Sequence, residues 1–135
     1  MPIFSFNLNS PADTKAKRLL RAKREGSPYF TWTVPATAAA AVSVIYVPTE
    51  FPESEKYEYL DSLEIVNNEA ALDLTLTING KETHYVPASS ARMIKGRALW
   101  HLAITNGGGA ATTLGKIIVS MRRRPQDADM LAAKQ

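Results

Sequence analysis

Residues 72 to 80 read LDLTLTING, and no other stretch narrows the choice of fold as far. Leu72, Leu74, Leu76 and Ile78 alternate with Asp73, Thr75 and Thr77, which makes one side of an extended segment apolar and the other polar. A helix would scatter those four apolar residues around its circumference. Asn79-Gly80 follows directly, and both residues tolerate the positive φ of a type I′ turn. The chain is therefore expected to reverse there into a second strand over residues 83 to 86.

The same period of two recurs along most of the sequence. Phe30, Trp32 and Val34 point one way and Tyr29, Thr31 and Thr33 the other; Val42, Val44 and Tyr46 repeat the pattern. Further strands are expected over residues 57 to 66, 91 to 95, 98 to 105 and 116 to 123, with Trp100, Leu102 and Ile104, then Ile117, Val119 and Met121, facing inward. Val34-Pro35, Val47-Pro48 and Val86-Pro87 each end a strand or mark a sheet edge, because proline has no N–H for the ladder. About eight short strands without intervening helices imply an all-β chain, an antiparallel β-sandwich or jelly roll.

One segment breaks the period. Ser10-Pro11-Ala12-Asp13 places a hydroxyl, a proline and an acid where a helix start wants them, and Gly26-Ser27-Pro28 supplies a stop. The helix expected over residues 11 to 25 contains KAKRLLRAKR, with Lys15, Lys17, Arg18, Arg21, Lys23 and Arg24 and no acid. Its apolar stripe is narrow, so it needs a neighbouring surface to hold it. The expected organisation is an N-terminal arm and basic helix over 1 to 27, a sandwich over 28 to 125 and a tail over 126 to 135. A chain of 135 residues suits one such core.

Charge is segregated along the chain although the net value is only +3. Residues 50 to 82 carry nine acids against Lys56 and Lys81, whereas residues 83 to 124 carry seven bases and no acid. A protein that only grips a polyanion has no use for so large an acidic block; such blocks suit contacts within or between copies. The absence of cysteine excludes disulfides, thiolate metal sites and cysteine nucleophiles. MPIFSFNLNSPAD lacks the features of a secretory signal, so export by that route is not expected. The longest nearly apolar run, residues 36 to 47, is about half of the roughly 20 residues a membrane span requires.

The candidate chemical motifs are weak. NGGGAATTLGK, residues 106 to 116, departs from a phosphate-binding loop because five residues separate Gly109 from Gly115 and Ile117 follows Lys116. It reads as a hairpin tip. His84 and His101 have no partner at metal-ligand spacing, and no cofactor is expected. The acids of EFPESEKYEYLDSLE read as a solvated loop leading into a strand. Arg122, Arg123 and Arg124 form a second basic cluster, with Arg123 on the face opposite the other two. Both basic clusters could meet nucleic acid through its backbone, without base-specific motifs. The aromatics Trp32, Tyr57, Tyr59, Tyr85 and Trp100 leave a glycan-stacking surface as an alternative.

The segment from Leu63 to Pro125 has a strand ending in Asn67-Asn68, an alternating strand into an Asn-Gly turn, a Val-Pro-Ala-Ser strand end and two last strands across a Gly/Thr-rich loop. In this it resembles small β-sandwich structural proteins of tailed or icosahedral virus particles. The resemblance implies a non-enzymatic module, present in many copies in a capsid, decoration, connector or spike base. It implies partners that are copies of itself and other virion proteins, and a location in the virion after assembly in the host cytoplasm.

Overall fold

A computed structural model describes Lys17 and residues 24–125. Its strands are β1 (Phe30–Thr33), β2 (Val42–Tyr46), β3 (Leu60–Asn67), β4 (Leu74–Ile78), β5 (Glu82–Val86), β6 (Ser90–Leu99), β7 (His101–Asn106) and β8 (Ile117–Arg122). Between β2 and β3 lie a single helical turn, α1 (Val47–Glu50), and a 3-10 turn, Pro52–Tyr57. Pro48 and Pro52 sit at the starts of these turns, where the missing N–H costs nothing.

The strands form two antiparallel four-stranded sheets, ordered β1-β8-β3-β6 and β2-β7-β4-β5. The first strand pairs with the last, the second with the seventh, the third with the sixth and the fourth with the fifth. Ladders β3·β8 and β4·β7 then join these pairs into sheets. Every connection except the β4–β5 turn passes from one sheet to the other. The protein is thus an all-β sandwich.

One core fills the space between the sheets, and strand alternation supplies it. Leu74, Leu76 and Ile78 of β4, Leu102 and Ile104 of β7, Leu63 and Ile65 of β3, and Ile117, Val119 and Met121 of β8 are all buried. Phe30 packs on its margin with its ring 5.8 Å from that of Phe51. Asn79, at φ 55°, and Gly80, at φ 70°, make the β4–β5 turn, as the sequence requires.

Three expectations of the sequence need correction. Val42, Val44 and Tyr46 point outward and Ile45 inward, because β2 pairs with β7 in the register Ile45↔Leu102. Trp100 is 60% exposed, since it stands at the break between β6 and β7 and belongs to neither strand's inward row. The Gly-rich loop joins β7 to β8 across the two sheets, so it is a crossover and not a hairpin tip.

Two buried asparagines pin those crossovers. Asn106, the last residue of β7, donates from Nδ2 to the carbonyls of Thr37 at 3.0 Å, Ala38 at 3.3 Å and Ala110 at 2.8 Å, and its Oδ1 accepts from the Gly108 N–H at 2.9 Å. Asn67, the last residue of β3, donates to the Leu72 carbonyl at 2.9 Å and the Pro87 carbonyl at 3.2 Å and accepts from the Glu69 N–H at 3.0 Å. Each side chain supplies polar partners to loop backbone that burial removes from water.

Candidate interaction surfaces

The outer side of the β2-β7-β4-β5 sheet carries Val42, Val44 and Tyr46, then His101, Ala103 and Thr105, then Thr75 and Thr77, then Thr83 and Tyr85. None of the ten is an Asp, Glu, Lys or Arg, in a chain where 21% of residues are charged. Val42, Val44, Tyr46 and Tyr85 are each about half exposed or more. The Tyr46 and His101 rings meet edge to face, 4.9 Å between centroids. With Asn79, Gly80 and the exposed indole of Trp100 they enclose a shallow hollow of about 330 Å³. Asp73 stands at the corner of this face. Its carboxylate accepts from the Ala88 N–H at 2.9 Å and from the Tyr85 hydroxyl, and the two bonds hold it below the usual carboxylate range while the Tyr85 phenol is pushed up.

The opposite sheet shows an ordinary outer surface. Glu64, Lys95 and Arg122 interrupt Tyr29, Thr31, Thr33, Ile118 and Met93. The two faces therefore differ in kind: one is charge-free and the other is mixed. The difference was open to a sequence reading. VSVIY, LTLTI and HLAITN contain no charged residue at either parity, so their outer side is uncharged whichever way the strands turn.

The basic residues fall into two groups. Of the N-terminal cluster, Lys15, Arg18, Arg21 and Lys23 lie outside the described residues; Lys17 and Arg24 have helical backbone and exposed side chains. In the second cluster the three arginines find three different neighbours. The Arg122 guanidinium lies over the Tyr29 ring, 5.1 Å from its centroid. Arg123 is only 3% exposed and stacks on Tyr59 at 4.1 Å. The Arg124 N–H donates to Asp61 Oδ1 at 2.8 Å, while its Nε, 3.7 Å from the same oxygen, makes an ion pair without a hydrogen bond.

Arg123 belongs to a clasp. Ser27 N–H donates to the Arg123 carbonyl at 2.8 Å and Arg123 N–H donates to Ser27 Oγ at 2.7 Å, so the segments entering β1 and leaving β8 are tied together. The buried Arg123 acts structurally here, through cation–π contact and packing of its stem.

The remaining motifs have local partners. His84 lies 3.1 Å from Glu82, whose other carboxylate oxygen is 2.7 Å from Arg97 Nε. Among the described residues no group of three His, Asp or Glu side chains is placed to hold a metal ion. Thr112 N–H donates to the Thr37 carbonyl at 2.9 Å and Thr112 Oγ1 accepts from Thr37 N–H at 2.8 Å, so the Gly-rich crossover is fastened to the loop before β2. Glu50, Glu53, Glu55 and Glu58 all lie exposed along the β2–β3 connection. Among the described residues no helix is long and apolar enough to cross a membrane. No family model and no curated protein matches the chain.

Proposed function

We propose that this chain is a non-enzymatic jelly-roll protein that associates with copies of itself as a structural component of a virus particle. The strand orders β1-β8-β3-β6 and β2-β7-β4-β5 support the jelly-roll reading, because they are what results when one long antiparallel hairpin is rolled over itself. The observation that carries self-association is the charge-free outer face of β2-β7-β4-β5. Four strands by five residues span roughly 300 Å² of flat sheet, well under the ~800 Å² per partner of a stable pair. Such a face fits one weak contact among several made by each copy in a closed assembly. The basic helix and the terminal arms supply further contacts in this reading, to neighbouring subunits first and to the genome backbone second.

Light scattering over a concentration series tests it. Wild-type protein should form large assemblies, and Val44→Glu, at a position 49% exposed, should suppress them while leaving the melting temperature unchanged. A wild-type chain that stays monomeric at its highest soluble concentration overturns the proposal.

A glycan-binding function is the second reading, favoured by the exposed Trp100 beside the hollow at Tyr46 and His101. Trp32 is buried in the core and cannot serve as its platform. Retention on a glycan array that is lost in Trp100→Ala would support this reading over the first.

A further inference from the structure

A second depression opens where α1, the 3-10 turn and the β6–β7 junction meet. It encloses about 240 Å³. Val47, Leu60 and Leu99, all buried, form its floor, and the exposed rings of Trp100 and Tyr59 flank its mouth. Glu55 and Glu58 stand on the rim, and Glu50 and Glu53 belong to the same connection. Glu53 is neutralised by Lys56 at 2.6 Å, whereas Glu50, Glu55 and Glu58 make no ion pair with any described residue. The cleft is smaller than the roughly 300–1,000 Å³ of small-molecule sites. An apolar floor, an aromatic lip and a carboxylate rim suit one long side chain with a hydrocarbon stem and a cationic head.

We propose that this cleft receives an arginine or lysine side chain from the basic segment Lys15 to Arg24 of a second copy of this chain. Charge complementarity carries the choice of occupant: the segment has six bases, no acid and the apolar pair Leu19-Leu20, and the rim offers unpaired carboxylates. Lys17 and Arg24, the two bases of the segment among the described residues, are exposed and pair with none of these acids, and the assignment to a second copy follows the self-association proposed above. The inference rests on the self-association proposed above and gives it a particular contact. It is separate from the charge-free sheet face, and Trp100 borders both.

Two measurements test it on the full-length protein. A synthetic peptide of residues 11 to 26 is titrated while indole emission is followed; Trp32 is 6% exposed, so the response reports Trp100. Binding should saturate, weaken with added salt, and fall about tenfold in Glu55→Gln/Glu58→Gln, as expected for loss of charge-assisted contacts. A peptide with its six bases replaced by Gln should not bind; equal binding would mean an apolar occupant and overturn the proposal. The second measurement is charge exchange. Glu55→Lys/Glu58→Lys and Arg18→Glu/Arg21→Glu should each lose association alone and regain it when the two proteins are mixed. Recovery only when all four changes share one chain would place the contact within a single molecule and refute the second-copy assignment. Association of the wild type with a silent peptide refutes the cleft and leaves the proposed function standing; a monomeric wild type that still binds the peptide refutes the proposed function and the second-copy assignment, and leaves only the affinity of the cleft for the basic segment.

Discussion

Removing the Asn106 side chain should be among the most damaging single truncations on the β2-β7-β4-β5 sheet. The amide is fully buried, and its two N–H groups serve three carbonyls, those of Thr37, Ala38 and Ala110, while its oxygen takes the Gly108 N–H. An NH₂ group makes two good bonds at most, so three hydrogen bonds are lost in Asn106→Ala. Each is worth about 1 kcal/mol net, and loop carbonyls left buried without partners add to that, so the expected loss is at least about 3 kcal/mol. That is a large share of the roughly 5–15 kcal/mol by which a domain is stable. For a domain near this size it lowers Tm by about 10–20 °C. Thermal denaturation followed by circular dichroism reads the shift directly. Asn106→Asp, which keeps the acceptor and loses the donors, should fall nearly as far. A Tm drop below about 3 °C for Asn106→Ala would mean less than 1 kcal/mol and refute the view that this amide holds the crossovers.

Three further outcomes follow from the same geometry. Gly26→Ala should destabilise by about 3 kcal/mol, because the residue has φ +77° and a Cβ there would lie 2.7 Å from the Arg123 carbonyl oxygen, whereas Gly109→Ala, with open space, should melt like the wild type. In a double-mutant cycle Arg123→Ala and Tyr59→Ala should show a coupling of about 1 kcal/mol in urea denaturation, and additive effects would remove the cation–π contact as a stabilising interaction. Asp73 has its folded-state pKa depressed, chiefly by the Ala88 N–H, so its contribution is present above the ordinary aspartate value of about 3.9 and lost as pH falls through the lower folded value. The stability gap between wild type and Asp73→Asn should therefore narrow on acidification from neutral pH to about pH 3, and a gap independent of pH would contradict this assignment.

The alternation in LTLTI and the Asn79-Gly80 turn were legible because local chemistry decides them: the period sets the faces and two residues permit the turn. The inward rows of β7 and β8 were legible for the same reason. Alternation reports that two faces differ, yet it does not say which one meets the core when both carry apolar residues. In VSVIY the deciding fact is the pairing of Ile45 with Leu102, a contact 57 positions away in the chain, so the outward course of Val42, Val44 and Tyr46 was hidden. Trp100 escaped because a one-residue break between β6 and β7 resets the parity that a continuous strand would impose. The second basic cluster, RRR, showed its alternation but not its partners, since Tyr29, Tyr59 and Asp61 come from two distant segments. The cleft beneath Trp100 was invisible for a similar reason: its walls come from α1, the 3-10 turn, β3 and β6.

The pairing of β1 with β8 sets an order of events during synthesis. While the ribosome is still adding the last third of the chain, β1 and β2 have emerged without the strands that flank them, and β3 lacks both of its neighbours. Among the described strands, the pair complete early is the β4–β5 hairpin, whose two strands are separated by three residues. Closure of the two sheets therefore waits until β7 and β8 have emerged, and the nascent protein spends that interval with strand edges open to other chains. Those edges must be kept apart from other chains until β7 and β8 have paired.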